Sequence, residues 1–214
     1  MTFSGRRPLV VGLAAVAVAV AGCSSSTTSS TASKSPTATT HPTASPSVSA
    51  TAQTITVTGK NTILVLTAST AQALKNAGVV VSPASPATTA SSGGISFPIT
   101  GGTLTQAGLK GTINHSGGLT FTHSGKTVTA TDFVLNTTTG VLSATVHGKK
   151  VSLLAVSLST MARTTSGSEI VASGITSTIE TSAAVLLDAG LVVKVFTKGL
   201  PIGALTVYIT GKSA

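Results

Sequence analysis

From Thr54 onward, apolar residues alternate with threonine and serine at a period of two. Glycine-containing turn signals interrupt this alternation at intervals of about eight to twelve residues. Successive side chains on a strand point to opposite faces, so the pattern separates a Val/Ile/Leu face from a hydroxyl face. Thr54-Ile55-Thr56-Val57-Thr58 ends at Gly59, and Asn61 to Leu66 reads as a second strand. Ile95-Ser96-Phe97-Pro98-Ile99 precedes Gly101-Gly102, which reads as a turn. Leu109 to Ser159 continues as a meander turning at Ser116-Gly117-Gly118, Ser124-Gly125, Thr139-Gly140 and His147-Gly148. The expected fold is mainly β: a β-sandwich or open barrel of antiparallel strands. Pro98 removes a ladder hydrogen bond, which places its strand at an edge or a bulge.

Two short segments break the alternation and resemble each other. Ala71 to Val81 aligns without gaps on Ala183 to Val193, with six of eleven positions identical. Each reads as a strand, one or two helical turns, then a strand. Ser69 and Thr181 are the expected N-caps, because their hydroxyls can accept from freed backbone amides. Gly78 and Gly190 stand where a left-handed residue ends a helix. The pair brackets the meander and predicts related lids or edges.

A different pattern governs the first 52 residues. Arg6-Arg7 precede an apolar run from Pro8 to Ala21, and Val20-Ala21-Gly22 lead into Cys23, the chain's one cysteine. A basic start, a short apolar stretch and small residues before a processing point define a secretory leader, here residues 1–22. About 14 apolar residues are too few for a span that needs roughly 20. Val20 to Cys23 resembles the lipobox of bacterial lipoproteins, which implies cleavage before Cys23 and acyl chains such as palmitate on the mature N-terminus. Two acyl chains suffice for stable attachment. Residues 23–52 then form a lipidated start and a Ser/Thr/Ala/Pro-rich linker that cannot bury enough apolar surface to order itself. Residues 53–214 form the one domain, and lipidation of Cys23 leaves it without a thiol.

Charge narrows the partners. Removing Arg6 and Arg7 from a total of 13 basic residues leaves 11 against 4 acidic ones, a formal +7. That balance suits attraction to anionic cell-wall polymer or lipid headgroups. The lysines are scattered and aromatic residues make up only 3% of the chain, which excludes the stacking and basic runs of nucleic-acid binding.

The chemistry-bearing residues form no catalytic set. Ser124-Gly125-Lys126-Thr127 looks like the tail of a phosphate-binding loop, but Thr120 stands where the first glycine belongs and a strand pattern follows. It reads as a hairpin turn. The domain's acids are Asp132, Glu169, Glu180 and Asp188, with no Gly-x-Ser-x-Gly elbow and no close carboxylate pair. No enzyme is expected. His115, His123 and His147 lie in or beside turns, and nothing in their spacing requires a shared metal.

The stretch Gly111 to Phe121, with its His115-Ser116-Gly117-Gly118-Leu119 core, resembles the haem-transport-associated (Htaa) domain of exported proteins in high-GC Gram-positive bacteria. The alternating strand from Thr127 to Leu135 and the Leu142 to Val146 strand extend the likeness over roughly residues 95 to 160. The resemblance implies a β-sandwich domain that binds haem through an axial tyrosine assisted by a histidine, and His115 matches that histidine's motif. The domain's one tyrosine is Tyr208, in the last strand. Two functions follow as expectations. The first is a lipid-anchored interaction domain, displayed on the extracytoplasmic face of the cell membrane, that contacts wall polymer or another surface protein. The second is a module that holds haem or another flat apolar ligand against His115, with His123 as a second candidate.

Overall fold

The computed structural model describes residues 53–213; the leader, Cys23 and the linker up to residue 52 lie outside the described residues. Twelve strands and two helices follow in order. They are β1 (Thr54–Leu66), α1 (Ala68–Asn76), β2 (Val80–Ala84), β3 (Thr88–Thr89), β4 (Ile95–Thr105), β5 (Gly111–His115) and β6 (Gly118–His123). The second half contains β7 (Lys126–Asn136), β8 (Val141–Val146), β9 (Lys149–Ser157), β10 (Ala162–Ser166), β11 (Glu169–Ile179), α2 (Thr181–Leu191) and β12 (Pro201–Ser213).

Eight strands close a ring in the order β1-β4-β5-β7-β8-β9-β11-β12, with β12 returning to β1, and every pairing is antiparallel. The fold is thus mainly β, as expected, and within the two forms considered it is a barrel closed by the β7–β8 pairing. Closure leaves no free edge in the ring. Four strands stand outside it: β6 on the first half of β7 with β2 beyond it, β10 on β11, and β3 on β4.

The ring closes because its long strands bend at mid-length. In β7, Val128 and Ala130 face inward, then Phe133 and Leu135, so the inward set changes phase at Asp132, whose φ is +52°. β11 changes phase between Ala172 and Ile175, across Gly174 at φ +74°. Such bulges increase local twist and re-aim the strand. The same device corrects two expectations. Gly59 does not end a strand: β1 runs on to Leu66, with a register shift between Val57 and Gly59. Gly101-Gly102 is no turn but the interior of β4, where a Cβ on Gly102 would strike the Thr112 carbonyl oxygen of β5. Pro98 adjoins the stretch where β1 and β4 leave their ladder, which is the bulge position its missing N–H requires.

The strand β5 does not pair with β6, so the middle of the chain is not a simple meander. Both strands instead share β7, β6 along its first half and β5 along its second.

The helices close one mouth of the barrel. Leu74 of α1, Leu187 of α2 and Phe196 beyond it meet Phe121, Ile179 and Ile202 from the strands. Here the expected caps shift. The Thr67 hydroxyl, not Ser69, caps α1 by accepting from the Thr70 amide at 3.2 Å, because β1 runs directly into the helix and Thr67 N–H is held by Ile202 O at 3.0 Å. Thr181 is the first residue of α2 rather than its cap; Glu180 holds that place without a side-chain bond. Gly78 follows α1 at φ +67°, as expected of a left-handed stop. Gly190 does not match it. It lies inside α2, where a Cβ would come within 2.5 Å of Val128 Cγ2, and the helix ends one turn later than its counterpart at Val192, φ +59°. Asp188 fixes that ending, its Oδ1 accepting from the Val195 and Phe196 amides at 3.1 Å each. The repeated sequence therefore yields two lids with different exits: α1 passes into β2 within four residues, whereas α2 reaches β12 only at Pro201.

Thr67→Ala should cost about 1 kcal/mol in urea unfolding, the usual loss for a hydroxyl N-cap. Ser69→Ala should stay within about 0.5 kcal/mol, as for a surface change without a cap.

Candidate functional site

His115 ends β5 with its side chain inside the barrel, 5% exposed. Its Nδ1 lies 3.2 Å from the Phe133 carbonyl oxygen, which can only accept, so Nδ1 carries the proton. Nε2 then accepts from the Thr62 hydroxyl at 2.7 Å. Burial drives the imidazole pKa down from 6.5 to about 4, with the Phe133 carbonyl opposing part of the shift. A neutral ring with both nitrogens satisfied ties β5 to β1 and β7. The Phe97 and Phe133 rings pack beside it, 5.0 Å apart at 58°.

No ligand chamber surrounds this histidine. The void lined by His115, Thr62, Phe97 and Phe133 amounts to about 10 Å³, and the two beside it along the barrel to about 20 and 10 Å³. About 10–15 Å³ admits one water, whereas ligand pockets run to roughly 300 Å³ or more. The barrel interior is a packed core.

His123 stands at the other end of the same motif region, last in β6 and half-buried beneath the end of α2. Its Nδ1 donates to the Leu191 carbonyl at 3.0 Å. Nε2 lies 3.3 Å from the Ser124 hydroxyl. Gly78 closes on the ring from α1: a Cβ there would sit 3.4 Å from His123 Cδ2. His147 is exposed on the β8–β9 turn at φ +49°. The three histidines do not converge, and among the described residues no group of three or more His, Cys, Asp or Glu could hold a metal. Ser124-Gly125 forms the β6–β7 hairpin turn with both φ positive, at +45° and +77°, the geometry of a tight two-residue turn. Tyr208 lies between the inward-facing Val207 and Ile209 of β12, so its phenol is on the outer face.

The sequence reading passed over the surface at the helix-bearing mouth. Val80, Val185 and Val192 are 63%, 65% and 67% exposed, and all three belong to β2, α2 and the residue after α2. Val185 and Val192 share a shallow concavity with Asp188, Ala189, Val193, Lys194 and Thr197. Lys75, Lys126 and Lys198 are also exposed on elements of this end, and among the described residues none of these lysines has an ion-pair partner. The described ion pair is Lys60 with Glu169, on β1 and β11. No run of residues announces this surface, because α1, the β6–β7 hairpin and α2 are far apart in sequence.

No protein-family model and no curated protein matches the chain. Among solved structures, it is similar to the crystal structure of the C-terminal domain of HtaA from Corynebacterium glutamicum. The identity is 18% and the TM-score 0.53, over 74% of this chain and 99% of that domain. It also aligns with the crystal structure of the heme binding protein HtaB from the same organism, at 7% identity and TM-score 0.45, over 75% of this chain and 97% of that one. The resemblance carried by His115 to Leu119 is met at the level of architecture: the described domain has an Hta-type fold, shared with the HtaA C-terminal domain.

Proposed function

We propose that this chain is a non-catalytic binding module of the cell envelope, anchored through lipidated Cys23, that takes a flat anionic amphiphile of the haem type at its helix-bearing mouth. The observation that carries this reading is the coincidence there of exposed Val80, Val185 and Val192 with lysines that have no ion-pair partner among the described residues. Exposed apolar side chains rimmed by charge mark an interaction surface. The two features together suit one chemistry, an apolar body that also carries negative groups. Haem has both, and it brings an iron that accepts an axial nitrogen donor.

His115 does not fit such a ligand. Its partner is the Thr62 hydroxyl where the resemblance implies a phenol, and the space beside it is about that of one water. A ligand of that size therefore belongs on the outer surface, and support for haem comes from the fold likeness together with the mouth's mixed apolar and cationic character.

Hemin titrated into the purified chain should give a saturable Soret band shifted from that of free hemin. Val192→Asp should weaken it at least tenfold, because the carboxylate would face both the apolar body and the ligand's own negative charge. A spectrum identical to free hemin would remove haem as the ligand. Salt-sensitive, saturable capture by isolated cell wall would then favour the lysines acting alone, on an anionic polymer.

A further inference from the structure

We infer that β10 is a docking edge for a second copy of this chain, the two strands pairing antiparallel about a two-fold axis through Thr164. The ring offers no edge, and of the strands outside it β6 is paired on both sides. Two others are blunted: β2 contains Pro83, which has no N–H to give a neighbour, and β3 is two residues long. β10 has neither defence. Its five residues, Ala162 to Ser166, are all exposed, and it pairs with β11 alone, without a register shift. It lies along the start of β11, whereas α2 follows that strand's end, so pairing there leaves the helix-bearing mouth open.

The hairpin sets the register. Gly167-Ser168 is a two-residue loop, with Ser166 opposite Glu169 across it. Residues flanking such a loop exchange hydrogen bonds, and bonded and non-bonded pairs then alternate along the ladder. Ala162, Thr164 and Ser166 therefore direct their backbone groups to β11, while Arg163 and Thr165 direct theirs to the open side. Two copies satisfy all of those groups in one antiparallel register, with Arg163 of each opposite Thr165 of the other and Thr164 opposite its own counterpart. Charge agrees with this register, because Arg163 meets a neutral hydroxyl and not a second guanidinium. The guanidinium is also held off the edge, its Nη1 donating to the Gln106 carbonyl at 2.6 Å. So few hydrogen bonds make a weak pair in free solution. The attachment through Cys23 proposed above confines the copies to one membrane and raises their local concentration.

The decisive variant is Thr164→Cys. The central pair is of the non-bonded kind, with Cα atoms about 4.5 Å apart, within the roughly 4.4–6.8 Å that a disulfide spans. In the full chain on its own membrane, this variant should form a disulfide-linked dimer when diamide takes up the two thiol hydrogens. Arg163→Cys and Thr165→Cys should each link at least fivefold less, since neither residue meets its own counterpart, but the two expressed together should link to one another. Any link through Cys23 would appear in all of these alike. Adding Thr165→Pro to Thr164→Cys removes an N–H on the open side and leaves the β11 ladder untouched, and should cut the linked fraction at least fivefold. No dimer at position 164, or equal linking at 163, 164 and 165, would overturn the inference. Circular dichroism of each variant, matched to wild type, reports that the barrel is intact.

Discussion

Taking the chain from pH 7 to pH 4 should remove about 3 kcal/mol of stability through His115 alone. The unfolded imidazole titrates near 6.5 and the folded one near 4, so between those values the unfolded state binds a proton that the folded state refuses. The contribution is present in full above pH 6.5, declines as pH falls, and is gone by about pH 4. Each unit of separation is worth 1.36 kcal/mol, which gives the figure. The cause is geometric: Thr62 and Phe133 serve the neutral ring, and no carboxylate among the described residues is placed to pair with a charged one. Acidic residues elsewhere add their own pH dependence, so the test is a difference. The double variant His115→Leu with Thr62→Val removes the titrating group and its hydroxyl partner together, so the Phe133 carbonyl alone loses a side-chain donor. From pH 7 to pH 4 the wild type should lose about 3 kcal/mol more than the double variant in urea unfolding, so the difference between them shifts in the variant's favour as pH falls. Parallel curves across that range would show that His115 is not held neutral.

Gly118→Ala should be the more damaging of two glycine changes, by at least about 3 kcal/mol in urea unfolding or by outright loss of the fold. Gly118 opens β6 opposite Thr131, and a Cβ there would collide with the Ala130 carbonyl oxygen of β7. The obstacle is backbone, which cannot turn aside as a side chain can. Gly125→Ala is the comparison. That residue has φ +77° but open space around it, so only the left-handed conformation is penalised, at about 1 kcal/mol. Equal costs at the two positions would mean that β6 and β7 separate freely. In that case the placement of His123 by their hairpin would lose its basis.

The resemblance read from the Gly111 to Phe121 stretch rested partly on such glycines. Gly111, Gly117 and Gly118 each stand where a Cβ would meet backbone from another segment. The motif is thus legible as an architectural one, a set of close approaches around His115. Its chemistry was less legible. A histidine in a turn-rich stretch reads as a surface ligand, and nothing in residues 111–121 reveals that Thr62, 53 positions upstream, holds its Nε2.

Local pattern determined the strand content, the hairpin turns at 124–125, 139–140 and 147–148, and the two helices, because period-two alternation and turn residues act over a few positions. The N-terminal leader, the lipidated Cys23 and the linker also remain readings of sequence alone. Tertiary structure decided the rest. It made bulges of Gly59 and Asp132, placed Gly101-Gly102 within a strand, put Gly190 against Val128, and closed the ring through β7 and β8. It also turned His115 inward and gathered Val80, Val185, Val192 and His123 at one mouth. These outcomes depend on which segments meet across long separations in the chain, and alternation specifies a strand's two faces without naming the neighbour each edge will find.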